Sequence, residues 1–105
     1  MANDAFKALA HPLRRNIVER LSGGVATVGE VTRDFRVSKP TISRHLKVLE
    51  EAGVVTRVVD GRIHRLALRP ETLAEASDWI ESQRQRWERL FDVVGDYLEE
   101  RKEQL

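Results

Sequence analysis

Cysteine is absent from this sequence of 105 residues, and aromatic residues make up only 6% of it. The absence of cysteine excludes disulfide bonds, thiolate metal sites and a cysteine nucleophile, and it fits a reducing compartment. So few aromatic side chains give a small supply for a monomeric core. A chain of this length suits a single domain, here residues 1–105, and small domains often complete their core by forming an oligomer.

Long apolar runs are also missing, so we expect no transmembrane helix and no membrane partner. The sequence starts with Met1-Ala2-Asn3-Asp4 and lacks the basic and then apolar segment of a secretory signal, so nothing in it directs export.

The formal net charge of +1 hides an uneven distribution. Residues 1–70 hold 13 basic and 7 acidic side chains, whereas residues 71–105 hold 5 basic and 10 acidic ones. The first part could therefore face a polyanion, which would repel the second part. The alternative is chance unevenness between two solvated surfaces.

Two short helices are predicted within residues 1–22, because apolar side chains recur at helical spacing on both sides of His11-Pro12. The first runs to Leu9, and the second runs from about Pro12 to Leu21. We expect His11 to shape the junction between them.

Residues 27–53 have the pattern of a helix-turn-helix. Thr27 and Glu30 have capping-box spacing at the start of one helix, and Ser38 is a good N-cap for the next. In this second helix the apolar residues recur at steps of three and four, as expected for one buried face.

Residues 54–69 are rich in β-branched side chains on both sides of Asp60-Gly61, a pair that favours a type I′ hairpin turn. We call this hairpin the wing. A two-residue turn at Asp60-Gly61 would set these pairs: Val59 with Arg62, Arg57 with His64, and Val55 with Leu66.

Residues 70–105 have a helical pattern to near Lys102, with a wide apolar stripe. The sequence does not decide whether this helix is kinked at Ser82-Gln83 or at Gly95. The stripe is too large for one helix on a small domain, so we expect a second copy of the chain to cover part of it. Trp79 and Trp87 could line a ligand pocket between subunits, although packing in the interface is favoured. The expected dimer interface consists of Phe6, Leu9, Leu73, Trp79, Ile80, Trp87, Leu90, Phe91 and Val94.

The sequence therefore predicts a mostly α protein with a small β-hairpin wing, an α+β fold of the winged helix-turn-helix type that dimerises through a long C-terminal helix. The second helix of the helix-turn-helix would be a recognition helix, because its outward face is polar and basic. Arg44 is the first choice for a base contact, since its guanidinium can bind guanine through two hydrogen bonds.

The predicted DNA contacts fall into three groups. The recognition helix contributes Lys39, Pro40, Thr41, Ser43, Arg44, His45 and Lys47. The wing contributes Arg57, Arg62, His64 and Arg65, although a charged hairpin kept soluble at a sheet edge explains these residues equally well. Arg14 and Arg15 are candidates for the DNA backbone: one could reach a phosphate while the other pairs with a carboxylate. A solvated helix face explains them equally well.

Signals for catalysis or metal binding are weak. The three histidines lie on three different predicted elements and no two of them have metal-ligand spacing. No phosphate-binding loop, dinucleotide motif or nucleophile elbow is present. We therefore expect no metal, no cofactor and no enzymatic activity.

Two stretches resemble the ArsR/SmtB family of bacterial winged-helix repressors: residues 6–15, which read FKALAHPLRR, and residues 38–55, which read SKPTISRHLKVLEEAGVV. The resemblance implies a homodimer that binds an inverted-repeat DNA operator, blocks transcription, and works in the cytoplasm in association with a bacterial nucleoid. An inducer would release the DNA.

The chain departs from the metal-sensing members of that family. The positions of their cysteine ligands hold Thr27, Gly29 and Thr32, and residues 71–105 contain no histidine. A metal inducer is therefore not expected, which leaves an organic ligand, a protein partner or no inducer. A dimeric protein-interaction module that no longer binds DNA is the alternative function. The basic side chains of the recognition helix and the wing argue against it.

Overall fold

The computed structural model describes residues 2–103. In chain order its elements are α1 (Ala2–Ala8), α2 (Pro12–Ser22), β1 (Ala26–Thr27), α3 (Val28–Phe35), α4 (Lys39–Glu51), β2 (Val55–Asp60), β3 (Ile63–Leu68) and α5 (Pro70–Glu103). The fold is mostly helical with one small antiparallel sheet, which confirms the predicted fold class. None of the described helices is long and apolar enough to cross a membrane.

Side chains at the helix starts satisfy backbone N–H groups that have no partner within the helix. Thr27 accepts a hydrogen bond from the Glu30 amide at 3.1 Å, and Ser38 accepts one from the Thr41 amide at 3.3 Å. His11 caps α2, because its Nδ1 accepts from the Leu13 amide at 3.1 Å. These three caps set where α2, α3 and α4 begin.

The core lies between the helix-turn-helix, α2 and the base of the wing. Ile17 of α2 and Val31 of α3 are fully buried, and each helix thus turns its apolar side inward. The other large, fully buried side chains are Ile42, Leu46, Leu49, Val54, Val55 and Leu66. Among the described residues no polar or charged side chain is buried, so the core is apolar throughout.

The register predicted for the wing is wrong. Asp60 pairs with Ile63, so Gly61-Arg62 is the two-residue turn instead of Asp60-Gly61. Gly61 has a φ of 63°, whereas Arg62 is not among the residues with positive φ. This combination is typical of a type II′ turn, which has glycine at its first central position.

The corrected register moves each partner by two residues, so the two faces of the wing keep their predicted composition. Val55 pairs with Leu68, Arg57 with Leu66, and Val59 with His64. The core face still carries Val55 and Leu66 at the base.

The sheet has a third strand, β1, which no pattern in the sequence predicts. Ala26 pairs with Leu66 and Thr27 with Arg65, so the strand order is β1-β3-β2. This short strand fixes the start of α3 to the base of the wing.

α5 is one continuous helix of 34 residues, and neither Ser82-Gln83 nor Gly95 interrupts it. At a rise of about 1.5 Å per residue it is about 50 Å long. Its first part packs on α1, where the rings of Phe6 and Trp79 meet edge to face with centroids 5.3 Å apart. From residue 84 to residue 102 every side chain is exposed in the single chain.

Candidate nucleic-acid interface

The outward face of α4 is polar and basic while its inward face is fully buried. Ile42, Leu46 and Leu49 have no exposed surface, and they fix the rotation of the helix. Most of the side chains predicted to contact DNA therefore lie on the opposite side. Lys39, Pro40, Ser43, Arg44 and Lys47 are exposed, and Thr41 and His45 are partly buried.

The basic side chains of this face differ in how they are engaged. Arg44 and Lys39 form no ion pair with any described residue. Lys47 lies 3.9 Å from Glu51 on the same helix, a pair that is mostly exposed and therefore weak. The Thr41 hydroxyl lies 2.7 Å from that of Ser38 at the helix start. Arg44 and Lys39 are thus available to an external anion.

The Arg57 side chain forms hydrogen bonds within the protein. Its Nε donates to Glu50 Oε1 at 2.7 Å and its Nη2 donates to Glu50 Oε2 at 3.1 Å, a bidentate pair. Its Nη1 lies 3.1 Å from Nδ1 of His64. Both side chains of the ion pair are 26% exposed. The pair joins α4 to the wing, so Arg57 and His64 orient the wing against the recognition helix.

The tip of the wing carries the remaining two predicted contacts. Arg62 is exposed at the turn. Arg65 is exposed too, and its Nη1 lies 3.4 Å from Asp60 Oδ2, an open surface pair. Both guanidinium groups can therefore reach outward.

An open cleft of ≈ 740 Å³ separates α3, α4 and the wing. Basic residues from all three elements line it: Arg33, Lys39, Arg57, Arg62 and Arg65. Such a groove can accept a phosphate backbone. Arg33 was not among the predicted contacts, because its position on α3 gave no sign in the sequence that it would face the wing.

Arg14 and Arg15, the candidates for the DNA backbone, both bind the end of α1. Arg14 Nε donates to the Ala8 carbonyl at 2.5 Å and Nη2 donates to the Lys7 carbonyl at 3.2 Å. Arg15 Nη1 donates to the Leu9 carbonyl at 2.8 Å. Cations at a helix C-terminus satisfy its free carbonyls and interact favourably with the helix dipole.

His45 lies against the junction of α1 and α2. Its ring centroid is 4.4 Å from that of His11, and its Nδ1 is 3.2 Å from Arg14 Nη1. Burial lowers the pKa of His45, and the neighbouring charges of His11, Arg14 and Arg44 lower it further. These effects favour the neutral form of His45.

The predicted interface residues divide into two sets. Phe6, Leu9 and Leu73 are partly buried within the single chain. The others are at least 44% exposed in the single chain: Trp79, Ile80, Trp87, Leu90, Phe91 and Val94. Val93, Tyr97 and Leu98 extend the same stripe. On the polar side of α5, Arg84 binds Glu81 and Glu88, which raises the pKa of Arg84 and lowers that of Glu81.

Two of the three histidines, His11 and His45, meet in the structure although they lie far apart in sequence. Within residues 2–103 no group of three or more His, Asp or Glu side chains is arranged to hold a metal ion.

Comparison with known proteins identifies the family. Residues 9–58 match the family model described as a helix-turn-helix domain. The chain is 36% identical over 78 residues to the transcriptional repressor SdpR of Bacillus subtilis, a match that covers 74% of this chain and 87% of SdpR. It is 55% identical over 51 residues to the HTH-type transcriptional regulator Rv2034 of Mycobacterium tuberculosis, covering 49% of this chain and 48% of that protein.

Comparison with solved structures gives the same family. The crystal structure of an ArsR family transcriptional regulator superposes with a TM-score of 0.77 at 35% identity, over 82% of this chain and 89% of that one. The crystal structure of a possible transcriptional regulator for arsenical resistance has a TM-score of 0.70 at 39% identity, over 75% of this chain and 82% of that one. The relatives are regulators of transcription rather than enzymes, and the protein is a DNA-binding transcriptional regulator. The chain belongs to the ArsR/SmtB family of winged helix-turn-helix transcriptional repressors.

Proposed function

We propose that two copies of the chain bind an inverted-repeat operator and repress transcription from it. The observation that carries this proposal is the division of α4 into two faces. Ile42, Leu46 and Leu49 are fully buried on its inward face. On the outward face Arg44 and Lys39 are exposed and form no ion pair with any described residue. A helix presented in this way can enter the major groove.

Within this interface some exposed side chains of α4 would contact bases and others would contact phosphates. Arg44 would read a base edge, because a guanidinium can bind O6 and N7 of guanine together. Thr41 and Ser43 would bond to a base edge or a phosphate, and Lys39 and Lys47 would bind phosphates.

The wing would supply a second contact along the duplex. Arg62 and Arg65 are exposed near its tip, where they could reach the minor groove or the DNA backbone. Arg57 and His64 would act indirectly, because the Glu50 pair already holds Arg57 against α4.

The apolar stripe of α5 supports the dimer. Large apolar side chains more than half exposed, such as Trp87 and Phe91, are costly to leave in water, and a second α5 would bury them. Symmetry would then place the two α4 helices in successive major grooves, about 34 Å apart. The acidic residues of α5 would lie on the side of the dimer that faces away from the DNA. The protein would act in the cytoplasm.

The inducer, if one exists, would be an organic molecule or a protein. The residues at the family's cysteine positions support this view: Thr27 caps α3, and Gly29 and Thr32 line the cleft. None of these side chains is a good ligand for a soft metal ion.

The test is selection of duplexes from a random-sequence pool with the purified protein, followed by fluorescence anisotropy on the selected duplex and on its scrambled version. We expect an inverted repeat to be enriched, and its affinity to fall steeply with salt while exceeding that of the scramble. Equal, weak binding to both duplexes would overturn the proposal.

A further inference from the structure

Every nitrogen of the Arg14 guanidinium has a partner inside the protein. Nε and Nη2 donate to the carbonyls of Ala8 and Lys7, which end α1, and Nη1 faces His45 Nδ1 at 3.2 Å. The side chain is partly buried. A phosphate contact needs a guanidinium that faces outward, and this one faces the helix junction.

These bonds connect three elements. Arg14 belongs to α2, the two carbonyls belong to α1, and His45 belongs to α4. The His45 ring also rests on His11, which caps α2. Because α1 in turn packs on α5, the cluster lies between the recognition helix and the element proposed to form the dimer.

We propose that Arg14 and His45 are positioning residues for DNA recognition: their hydrogen bond fixes α4 against the junction of α1 and α2, and neither residue acts by contacting DNA. This inference rests on the proposed function, because it concerns how the recognition helix is held.

The bond requires a neutral His45. An arginine side chain only donates, so Nδ1 must accept and the ring proton must be on Nε2. The groups that act on His45 are His11 from the junction, Arg14 from α2 and Arg44 from its own helix, and all three are basic. A protonated His45 would place a second donor of the same charge against Arg14 and break the bond.

Protonation of His45 therefore changes DNA affinity in opposite directions for its two possible roles. A histidine that contacts phosphate binds DNA more tightly once it is charged. A histidine that holds α4 through an accepted hydrogen bond loses that function when it is charged, so DNA binding weakens. The change should occur below the ordinary histidine pKa of 6.5, since the pKa of His45 is lowered.

The first experiment compares Arg14→Gln with Arg62→Gln, two variants that each lose one positive charge, by anisotropy on the selected duplex across a salt series. Arg62→Gln should lower the slope of log affinity against log salt by about 0.9, as expected for one lost phosphate contact. Arg14→Gln should weaken binding by about tenfold and leave the slope unchanged. An equal fall in slope for Arg14→Gln would identify it as a phosphate contact and overturn the inference.

The second experiment separates positioning from loss of folding. His45→Asn keeps an acceptor near the position of Nδ1 and cannot be charged, so it should bind like the wild type at slightly alkaline pH. On acidification the wild type should lose affinity relative to His45→Asn, because only the wild type can place a positive charge at this position. His45→Leu, which offers no acceptor, should bind weakly at every pH.

The outcomes distinguish the two proposals. A wild type that does not prefer the selected duplex overturns the proposed function and this inference together. A wild type that binds specifically, but gains affinity on acidification relative to His45→Asn, overturns only the positioning role.

Discussion

Arg36 is the only residue other than glycine with a positive φ among those described, at 50°. It ends α3 in the left-handed conformation, at the position where glycine is the usual residue. A side chain with a β-carbon is strained in that conformation, so the turn of the helix-turn-helix stores a small backbone cost.

We expect Arg36→Gly to stabilise the protein by about 0.5–1 kcal/mol, because relief of the strain exceeds the added entropy of glycine in the unfolded chain. Urea denaturation at fixed protein concentration measures the change in the free energy of unfolding. The matched control is Arg33→Gly, in the last turn of the same helix, which should destabilise by about 0.5–1 kcal/mol because glycine has greater freedom in the unfolded chain. A loss of stability in both variants would show that the left-handed turn carries no strain.

Arg44 and Arg62 are both exposed arginines, but their expected roles differ. Arg44→Ala should weaken specific binding by about 1–3 kcal/mol and relax base preference at one position. Arg62→Ala should weaken binding to all duplexes alike and reduce the salt slope by about 1. Anisotropy on the selected duplex and on single-base variants measures both. Unchanged operator affinity in Arg44→Ala would show that this side chain does not lie in the groove.

At the scale of elements, one ion pair, Glu50 with Arg57, joins α4 to the wing in addition to the apolar core they share. Removing Glu50 leaves a guanidinium that is mostly shielded from water without its partner. We expect Glu50→Ala to lower the free energy of unfolding by about 1–2 kcal/mol and to weaken DNA binding through a misplaced wing.

Asp60→Ala is the control for that prediction. It removes the exposed contact with Arg65, which should cost less than about 0.5 kcal/mol. Thermal or urea unfolding compares the two variants, and equal losses would mean that the Glu50 pair is no stronger than an ordinary surface pair.

Helix boundaries were predictable because their signals are local. Thr27 and Ser38 bond to amides three residues away, so the residue types and their spacing indicate the cap directly. The wing register was not predictable in the same way. Asp60-Gly61 and Gly61-Arg62 both place Gly61 at a turn position, and the choice between them depends on how the strands pack on the core.

The contacts that the sequence could not indicate join residues far apart in the chain. Arg14 meets His45 across 31 positions, and Ala26 pairs with Leu66 across 40. Neither a periodicity nor a motif relates such positions. The identity of the basic residues was therefore evident from the sequence, whereas their division into outward contacts and internal supports required the structure.

At the scale of the whole molecule, the outer part of α5 contacts nothing else in the described chain, since residues 84–102 are all exposed. Leu90 lies on the apolar stripe, and Asp92 lies on the opposite side of the helix. We expect Leu90→Lys to dissociate the proposed dimer without unfolding the core, and so to lose operator affinity. Asp92→Lys should remain a dimer.

Sedimentation equilibrium gives the mass of each variant, and far-ultraviolet circular dichroism checks that both stay folded. A dimeric Leu90→Lys would show that the subunits associate through another surface.

Because the short strand β1 pairs only with the base of the wing, we expect the base to be more rigid than the tip. Near Leu66 and Arg65 the wing is a three-stranded sheet, whereas beyond them it is a two-stranded ribbon that ends at Gly61. Isolated two-stranded ribbons are only marginally stable in water. Amides at the base should therefore exchange hydrogen slowly and those near the turn quickly. Under the proposed function, each contact of the tip with DNA would have to offset the entropy lost when the tip becomes ordered. A stiffer tip would then bind more tightly without any new contact.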